Sequence, residues 1–328
     1  MHPPRDVVLL ITHSDDFFTV DRVAQSLSKL GAQPFRLDTD KFPSVVQLKM
    51  HLGNGSNYNL VYGENSISTE HIEAVWMRRI WQPQMSKDLA PKFQAACTRE
   101  SLAALEGFWD SLRQARWVDN LQRINAAQNK LRQLRTAQEV GLAIPRTLVT
   151  NNAKEAREFF DEVKGKMVAK LLTPLSQSMS GSSFFLYTNA VKEEDLLEAE
   201  SLRHSPMVFQ EQIPKLRELR VVFVDGKLFV GALDASVYAG KTVDWRRAST
   251  DDCVWEPHEL PSKIAFCLKT FMASFGLVFG AFDFIQTPSG EYVFLEVNPT
   301  GEWGMLERDL NYPISNAIAQ ALLSHGLT

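Results

Sequence analysis

The sequence predicts a mixed α+β protein that begins with an α/β lobe, and three observations support this fold class. The chain has 328 residues, more than a single hydrophobic core usually serves, so two or three lobes are expected. Residues 7–43 have the pattern of a strand, a helix ended by Gly31 and a second strand, which is a βαβ beginning. Residues 278–302 contain two apolar, aromatic and β-branched runs around a Thr-Pro-Ser-Gly turn, which is the pattern of a β-hairpin.

The composition is ordinary for a globular protein and argues against several classes of function. The net charge of −4 does not favour binding of nucleic acid by broad phosphate neutralisation. Cys97, Cys253 and Cys267 are widely spaced without a CxxC pair, so neither a disulfide framework nor a zinc site is expected. The apolar run at residues 7–11 is too short for a signal peptide or a membrane span. We therefore expect a cytoplasmic protein with no nucleic-acid or membrane partner.

Periodicity and chain breakers predict the elements between the βαβ beginning and the hairpin. The runs QLKMHL, YNLVYG and AVWMRR add short strands to the first lobe. Residues 88–116 are expected to form a long helix that links the lobes, and residues 125–140 a helix that ends at Gly141. Further elements are strands at 166–172 and 207–213, a hairpin around Asp225-Gly226, and helices at 191–202, 263–275 and 313–323.

Basic residues at two strands are candidates for binding anions. Arg78 and Arg79 lie at the end of a predicted strand. A guanidinium binds a carboxylate or phosphate through two parallel hydrogen bonds, so this pair is a candidate anion site, with surface ion pairing as the alternative. Lys170 lies inside the apolar run KMVAKLL, where a buried ammonium is costly unless it meets an anion.

The C-terminal hairpin determines which side chains share a face. A four-residue loop at 287–290 places Gln286 opposite Glu291 and Asp283 opposite Phe294. Side chains alternate across a strand, so the predicted polar face contains Asp283, Phe294, Glu296 and Asn298. The predicted apolar face contains Phe282, Phe284, Val293, Leu295 and Val297.

Asp283, Glu296 and Asn298 together form a set of oxygen ligands. Two carboxylates and a carboxamide without His or Cys suit Mg²⁺ that is also bound by substrate phosphates. The alternative is that the two carboxylates are satisfied polar residues at a strand edge. Three such side chains on one face, followed by Pro299 and Gly301, favour a metal site.

The motifs FDF and FLEVNPTGE of this hairpin resemble the magnesium-binding end of the ATP-grasp fold, whose members join a carboxylate to a nucleophile through an acylphosphate. VWMRRIWQP, FRLDTDKFP and NPTGEWGMLERDL resemble, more narrowly, the ATP-grasp ligases that cyclise microviridin precursor peptides. The similarity covers essentially the whole chain and is greatest to the amide-forming member. It implies an N-terminal lobe at 1–116, a central subdomain at 117–206 and a C-terminal subdomain with the metal site at 207–328.

The resemblance also implies ATP and Mg²⁺ as cofactors and gives roles to residues of the central subdomain. Lys130 and Lys170 correspond to lysines that reach the ATP phosphates, with a solvated basic helix as the alternative for Lys130. The loop 173–183 is expected to cover the phosphates. Gln210, Glu211 and Ile213 correspond to the hinge that lines the adenine site.

Two residues of the following strand complete the set that the resemblance implies. Glu218 falls where an acid binds the ribose. Arg220 falls where an arginine contacts phosphate and the developing acylphosphate. Cross-strand ion pairing is the alternative for both residues.

The resemblance finally implies a peptide substrate with a leader segment, and a homodimer. Expected leader contacts are Glu193, Glu194, Asp195 and Glu198, on a helix whose acidic first turn is otherwise typical of a solvated face. Expected contacts to the core of the peptide are Arg78, Arg79, Asp244, Arg246 and Arg247. For the last three, a flexible loop without a role in substrate binding is the alternative.

The function expected from these observations is ATP-dependent cyclisation of a ribosomal peptide. A Glu or Asp carboxylate is phosphorylated, and a Lys amine then displaces phosphate to form a lactam. Three alternatives remain open: an ester-forming ligase that uses Thr or Ser, a RimK-like ligase that adds an amino acid to a peptide end, and a non-catalytic peptide-binding protein of the same fold.

Overall fold

The computed structural model describes residues 7–53, 57–172, 188–237 and 254–324 of the chain. The loop 173–183 and the residues Asp244, Arg246 and Arg247, all of which have predicted roles, lie outside the described residues. The strands within these ranges form three principal sheets and one small one. The predicted mixed fold with an N-terminal α/β lobe is confirmed.

The N-terminal lobe is built on four parallel strands in the order β2-β1-β6-β7. Its elements are β1 (Val7–Thr12), α1 (Phe18–Lys29), β2 (Gln33–Asp38), β3 (Val46–His51), β4 (Asn57–Tyr62), β5 (Asn65–Ser68), β6 (Ile72–Met77), α2 (Pro91–Ser111) and β7 (Arg116–Val118). Strands β3, β4 and β5 form a separate antiparallel sheet. The predicted βαβ beginning corresponds to β1, α1 and β2.

The central lobe contains an antiparallel sheet in the order β10-β9-β11-β8. The elements from residue 121 to residue 211 are α3 (Leu121–Gln128), α4 (Lys130–Glu139), β8 (Thr147–Thr150), α5 (Ala153–Glu162), β9 (Met167–Lys170), β10 (Asn189–Val191), a 3₁₀ helix (Glu193–His204) and β11 (Met207–Glu211).

The C-terminal lobe contains an antiparallel sheet in the order β14-β13-β12-β15-β16. Its elements are β12 (Arg217–Val224), β13 (Lys227–Asp234), β14 (Glu256–Pro257), α6 (Ser262–Phe275), β15 (Phe279–Gln286), β16 (Tyr292–Asn298), α7 (Gly304–Leu310) and α8 (Ile314–Leu323). Within the described residues, no helix has both the length and the apolar character needed to cross a membrane.

The predicted single helix at 125–140 is wrong, because two helices meet at Asn129. The Asn129 backbone is extended, and its side chain accepts a hydrogen bond from the N–H of Arg132. Asn120 caps α3 in the same way through the N–H of Arg123. An asparagine that can accept from the backbone favours a helix start over a helix interior, so the chain begins a new helix at Lys130.

Strand pairing differs from the predicted lobe limits at two points. Strand β7 pairs with β6 and therefore extends the N-terminal sheet past residue 116. Strand β11 pairs with β8 and β9, so it belongs to the central sheet and not to the lobe that follows. Helices α3 and α4 contact β16 and α6 of the C-terminal lobe.

The N-terminal and C-terminal lobes share one hydrophobic core. Leu10 and Trp76 of the N-terminal sheet pack in the same cluster as Ala281 and Trp303 of the C-terminal lobe. The central lobe has a separate core around Phe159 and its neighbours. The hairpin of β15 and β16 carries the predicted metal ligands and is called the metal hairpin below. It thus rests on the N-terminal lobe as well as on its own sheet.

Asp119, directly after β7, ties the two lobes that share this core. It is 2 % exposed, and its carboxylate accepts hydrogen bonds from the N–H groups of Val278 and Phe279, both at 2.9 Å. Burial raises the pKa of the Asp119 carboxyl to about 7, although the two backbone donors act in the opposite direction. Folding therefore favours proton uptake by this group.

Replacing Asp119 by Asn is expected to change how stability depends on pH. The unfolded carboxyl titrates near pH ~4, so between about pH 4 and pH 7 the folded chain keeps a proton that the unfolded chain releases. The contribution of Asp119 to the free energy of unfolding then falls as pH rises through this window. Urea unfolding of wild type and Asp119→Asn near pH 5 and pH 7 measures it. If the free energy of unfolding changes equally with pH in the two proteins, the raised pKa of Asp119 is contradicted.

Candidate active site

The hairpin of β15 and β16 has a different register from the predicted one. Phe284 lies opposite Phe294, the register then shifts, and Asp283 lies opposite Glu296. The extra residue of this bulge is Leu295, and a bulge lets a strand turn a side chain to the other face. Gln286 lies opposite Tyr292, so the loop has five residues and not four, and the predicted pairings of Gln286 with Glu291 and of Asp283 with Phe294 are both wrong.

The loop register moves Phe294 to the apolar face, and the bulge keeps Glu296 and Asn298 on the face of Asp283. Phe294 is fully buried, and its ring packs against those of Phe271, Phe282 and Phe284 at centroid distances of 5.4, 6.2 and 5.6 Å. The predicted polar face thus loses its one aromatic member. The aromatic cluster forms the support beneath the polar face.

The structure brings the three predicted metal ligands together. Asp283 lies opposite Glu296 on the neighbouring strand. Asn298, two residues after Glu296 on the same strand face, lies opposite Ala281. The Asp283 and Glu296 side chains are 22 % and 28 % exposed, so both are accessible. Among the described residues no group of three or more His, Cys, Asp or Glu side chains forms a metal-binding cluster. The candidate set is two carboxylates and an amide.

Two cations balance these carboxylates. Arg220 of β12 lies directly opposite Asp283, and its Nη1 donates to the Asp283 Oδ1 at 2.6 Å. Lys130, the first residue of α4, places its Nζ 3.0 Å from the Glu296 Oε2. Like charges that face each other across a strand pair are unfavourable unless cations compensate them. The residues predicted to bind phosphates thus contact the residues predicted to bind the metal.

Arg78 and Arg79 have different environments. The Arg78 side chain is 1 % exposed and contacts the carboxylates of Asp16 and Glu302 and the carbonyl oxygens of Thr300 and Gly301. Because protein oxygens surround its guanidinium, the expected contact between Arg78 and the peptide does not fit this structure.

Arg79 is the accessible member of the arginine pair. Its side chain is 37 % exposed, and its Nη2 lies 3.6 Å from the Glu302 Oε2. Burial lowers the pKa of the Arg79 guanidinium, and the neighbouring Arg78 charge acts in the same direction. An anion beside Arg79 would relieve this unfavourable environment.

Asp16 was not among the predicted site residues. Burial raises the pKa of the Asp16 carboxyl. The charge of Arg78 and the hydrogen bonds from Thr12 and Thr19 together lower it by more, so the pKa lies below its usual value. Asp16 follows the carboxyl end of β1, where functional residues of parallel sheets collect. That position was the available sequence signal.

Gln133, one turn after Lys130, joins α4 to the metal hairpin. Its side-chain amide donates to the carbonyl of Val297 at 2.8 Å and accepts from the N–H of Val297 at 2.9 Å. It also donates to the carbonyl of Ala127. These bonds fix the start of α4 beside β16, and with it the position of Lys130.

The three residues predicted to line the adenine site have different environments. The Gln210 side chain is 3 % exposed and donates to the Thr147 Oγ1 at 3.0 Å, so it is directed into the central sheet. The carboxylate of Glu211 pairs with Arg146 at 3.0 Å. Ile213 is half-buried where the chain leaves the sheet.

Lys170 and Glu218 lie on strands of different lobes. Lys170 is the last residue of β9 and is half-buried. Glu218 lies two residues before Arg220 on β12, and its Oε1 is 2.7 Å from the Nζ of Lys215. Residues two apart share a face of a strand, so Glu218 and Arg220 point to the same side of the sheet.

The four predicted leader contacts lie away from the metal hairpin, on the 3₁₀ helix of the central lobe. Asp195 accepts a hydrogen bond from the N–H of Lys192, and Glu194 lies 3.5 Å from the Lys192 ammonium. Glu193 and Glu198 are exposed.

Two family models match consecutive parts of the chain. A model described as "MvdD pre-ATP grasp domain" matches residues 7–125, and one described as "Prokaryotic glutathione synthetase, ATP-grasp domain" matches residues 130–308. The crystal structure of the macrocyclase MdnB from Microcystis aeruginosa MRC is 58 % identical, covers 98 % of this chain and 100 % of its own, and has a TM-score of 0.84. The chain belongs to the microviridin-type ATP-grasp ligases.

Two further solved structures are similar to this ATP-grasp ligase. The macrocyclase MdnC of Microcystis aeruginosa MRC, bound with precursor peptide MdnA, is 31 % identical over 97 % of this chain and 99 % of its own, with a TM-score of 0.86. A RiPP-associated ATP-grasp ligase of Chryseobacterium gregarium, in complex with ADP and a leader and core peptide, is 30 % identical over 97 % and 96 %, with a TM-score of 0.89. The search of curated proteins gave no match.

The loop after β16 of the ligase leaves no room for a side chain at Gly301. A Cβ there would lie 2.5 Å from the Cβ of Ala281 and 3.1 Å from the Cβ of Asn298. Gly301 therefore allows the loop to pack directly on the strand beside Asp283.

Gly301→Ala is expected to destabilise the ligase by about 1–3 kcal/mol, because the added methyl group overpacks the loop against Ala281. Gly107→Ala in α2 is the control, since a Cβ there meets nothing within 4 Å. That substitution is expected to stabilise the helix by roughly 0.5–1 kcal/mol. Urea unfolding of both variants measures the difference. Equal stability of the two variants would contradict the tight packing at Gly301.

Proposed function

We propose that this chain is an ATP-dependent macrocyclase that joins a Glu or Asp side chain of a ribosomal precursor peptide to a Lys side chain of the same peptide as a lactam. The observation that supports this most is the site itself, in which Asp283 and Glu296 face each other and are balanced by Arg220 and Lys130. MdnB, at 58 % identity, is a macrocyclase.

The donor set fits magnesium. Asp283, Glu296 and Asn298 offer oxygen atoms only, which is the ligand type that Mg²⁺ prefers when phosphates complete its coordination. These three residues would hold the ion, which when bound supplies positive charge to the β- and γ-phosphates of ATP. Lys130 and Arg220 lie beside the two carboxylates and are proposed to bind the same phosphates.

The nucleotide is expected to lie between the central and C-terminal sheets. Lys170, at the end of β9, supplies a second ammonium for the phosphates. Glu211 and Ile213 border the base, and Glu218 is placed for the ribose. Gln210 supports this segment from within the sheet through Thr147.

The reaction proceeds in two steps. A carboxylate oxygen of the peptide bonds to the γ-phosphorus, the bond to the bridging oxygen breaks, and ADP leaves. The Lys amine then bonds to the acyl carbon, phosphate leaves, and the nitrogen loses a proton. Arg79 is placed to hold the peptide carboxylate, and Arg220 to stabilise charge on the transferred phosphoryl group. The remaining contribution of the protein is positioning.

The leader segment is proposed to bind the 3₁₀ helix of the central lobe. MdnC has been solved with a precursor peptide, and the Chryseobacterium ligase with a leader and core peptide. Here exposed Glu193 and Glu198 flank Leu197, whose exposure is 79 %. An apolar side chain between acids fits a leader that combines basic and apolar residues. Glu194 and Asp195 are proposed to contribute charge next to these contacts.

The lactam and the homodimer are parts of the proposal that rest on sequence resemblance, whereas the proposed cytoplasmic location rests on the spacing of the cysteines and the short N-terminal apolar run. NPTGEWGM resembles the amide-forming member of the microviridin ligases. Fragmentation of the product distinguishes a lactam from an ester, and light scattering distinguishes a dimer from a monomer.

Glu296→Gln is expected to lower the rate of ring formation by about 100-fold or more, because a neutral amide neither balances Lys130 nor binds Mg²⁺ as a carboxylate does. The measurement is the intact mass of a leader-bearing peptide that contains Lys, Thr, Ser, Asp and Glu, incubated with the protein, ATP and Mg²⁺. Each ring removes one water. Glu291→Gln, at an exposed position beside the hairpin turn, is the control and should retain full activity.

The crosslinked residues decide among the related functions. A Lys–Glu or Lys–Asp link supports the lactam, and a Thr or Ser link moves the enzyme to the ester class. Addition of a free amino acid to the peptide would indicate the RimK-like reaction. An unchanged mass with both a linear peptide and one that already carries ester rings would overturn the macrocyclase proposal.

Glu198→Lys is expected to raise the KM for the leader-bearing peptide by about tenfold with little change in kcat, since charge reversal removes an attraction that acts in binding alone. Glu158→Lys, at an exposed position of α5 in the same lobe, is the control. Steady-state kinetics with and without the leader compare the two. Equal KM values for both variants would place the leader elsewhere.

A further inference from the structure

We propose that Arg78 is a positioning residue for the metal site, and that it acts by holding the loop between β16 and α7. This inference rests on the proposed function only in taking Asp283, Glu296 and Asn298 as the metal ligands. The residue belongs to the N-terminal lobe, whereas every proposed ligand belongs to the C-terminal lobe. The N-terminal lobe would therefore help to position the metal ligands of another lobe.

Arg78 holds the loop at three consecutive residues. Its Nη1 donates to the carbonyl oxygens of Thr300 at 2.5 Å and Gly301 at 3.2 Å, and its Nη2 donates to the carboxylate of Glu302. The backbone N–H of Arg78 is itself fixed, by the carbonyl of Ile11 at 3.0 Å. The loop is thus attached to the end of the parallel sheet.

The first connection from Arg78 leads to Asn298. The carbonyl of Thr300 accepts from Arg78, and the N–H of Thr300 donates to the Asn298 Oδ1 at 3.0 Å. The Asn298 carbonyl in turn accepts from the N–H of Gly301 at 3.1 Å. Arg78 therefore holds the residue whose N–H orients the Asn298 amide, and the peptide unit after it, whose N–H binds the Asn298 backbone.

The second connection leads to Asp283. The Glu302 carboxylate accepts from Arg78, and the Glu302 carbonyl accepts from the Nε of Arg220 at 3.1 Å. Arg220 then donates to Asp283 at 2.6 Å. Glu302 also accepts from the N–H groups of Trp303 and Gly304, which fixes its carboxylate at the start of α7.

Lysine cannot reproduce these contacts. A guanidinium presents several donors in one rigid plane, whereas an ammonium is a compact charge on a flexible stem. The remaining side of the guanidinium is directed to Asp16, with the Arg78 Nε 3.4 Å from Oδ2. Two carboxylate contacts and two carbonyl contacts therefore require the planar fork.

The test compares Arg78→Lys with Arg36→Lys by metal binding. Arg36 lies in the same lobe, pairs with Asp38, and donates to the carbonyl of His13. Mn²⁺ binding in the presence of ADP is measured by electron paramagnetic resonance. Arg78→Lys is expected to weaken Mn²⁺ binding by about 10–100-fold, as loss of support for metal ligands does elsewhere. Arg36→Lys is expected to stay within about twofold of wild type.

A second measurement separates positioning from substrate binding. Binding of the peptide without nucleotide, by calorimetry, should be unchanged in Arg78→Lys. Unchanged Mn²⁺ binding with weakened peptide binding would overturn the proposal and make Arg78 a substrate contact. Unchanged Mn²⁺ binding with lowered stability would overturn it as well and leave a purely structural role.

Asp16→Asn keeps the inference testable if Arg78→Lys does not fold. This substitution removes one charge that orients Arg78 but leaves the contacts between Arg78 and the loop in place. A smaller loss of Mn²⁺ affinity than in Arg78→Lys is therefore expected. Mn²⁺ affinity equal to that of wild type would overturn the proposal. A wild-type protein that binds Mn²⁺ and ADP but forms no ring would contradict the proposed function alone. The inference about Arg78 would then still be decided by the Mn²⁺ titrations.

Discussion

Repulsion between two carboxylates that face each other across a strand pair is the constraint on which the site depends. Asp283 and Glu296 are fixed opposite each other by the hairpin register, so the fold must bring cations to them. Arg220 comes from the neighbouring strand and Lys130 from the first turn of α4. Since these cations come from separate segments of the chain, the charge balance is achieved only when those segments are packed together.

Packing explains why the three lobes have unequal roles. The N-terminal and C-terminal lobes share a continuous core, and the polar contacts of Arg78 and Asp119 lie at the carboxyl ends of β6 and β7, beside that core. The central lobe has its own core. Lobes with separate cores can change their relative orientation at lower cost than lobes that share one. Closure over a nucleotide would therefore involve the central lobe.

Local patterns predicted the existence of the hairpin and of the strands around it, but not the details that depend on tertiary contacts. The bulge at Leu295 has no local signal, because alternation alone cannot show where an extra residue enters a strand. Asn129 carried a capping signal that helical periodicity obscured. Arg78 and Arg79 are adjacent and chemically identical in the sequence, and only their packing shows that one is enclosed by protein oxygens while the other is accessible.

The contact between Gln133 and Val297 has a consequence for solubility. Strand β16 is at the edge of its sheet, and an uncovered edge strand with apolar residues can pair with the same strand of another molecule. The amide of Gln133 occupies the donor and the acceptor of Val297, while the carbonyl of Ala143 accepts from the N–H of Phe294. The edge is thereby closed to strand addition at Phe294 and Val297, so the strand that carries Glu296 is protected from becoming a template for aggregation.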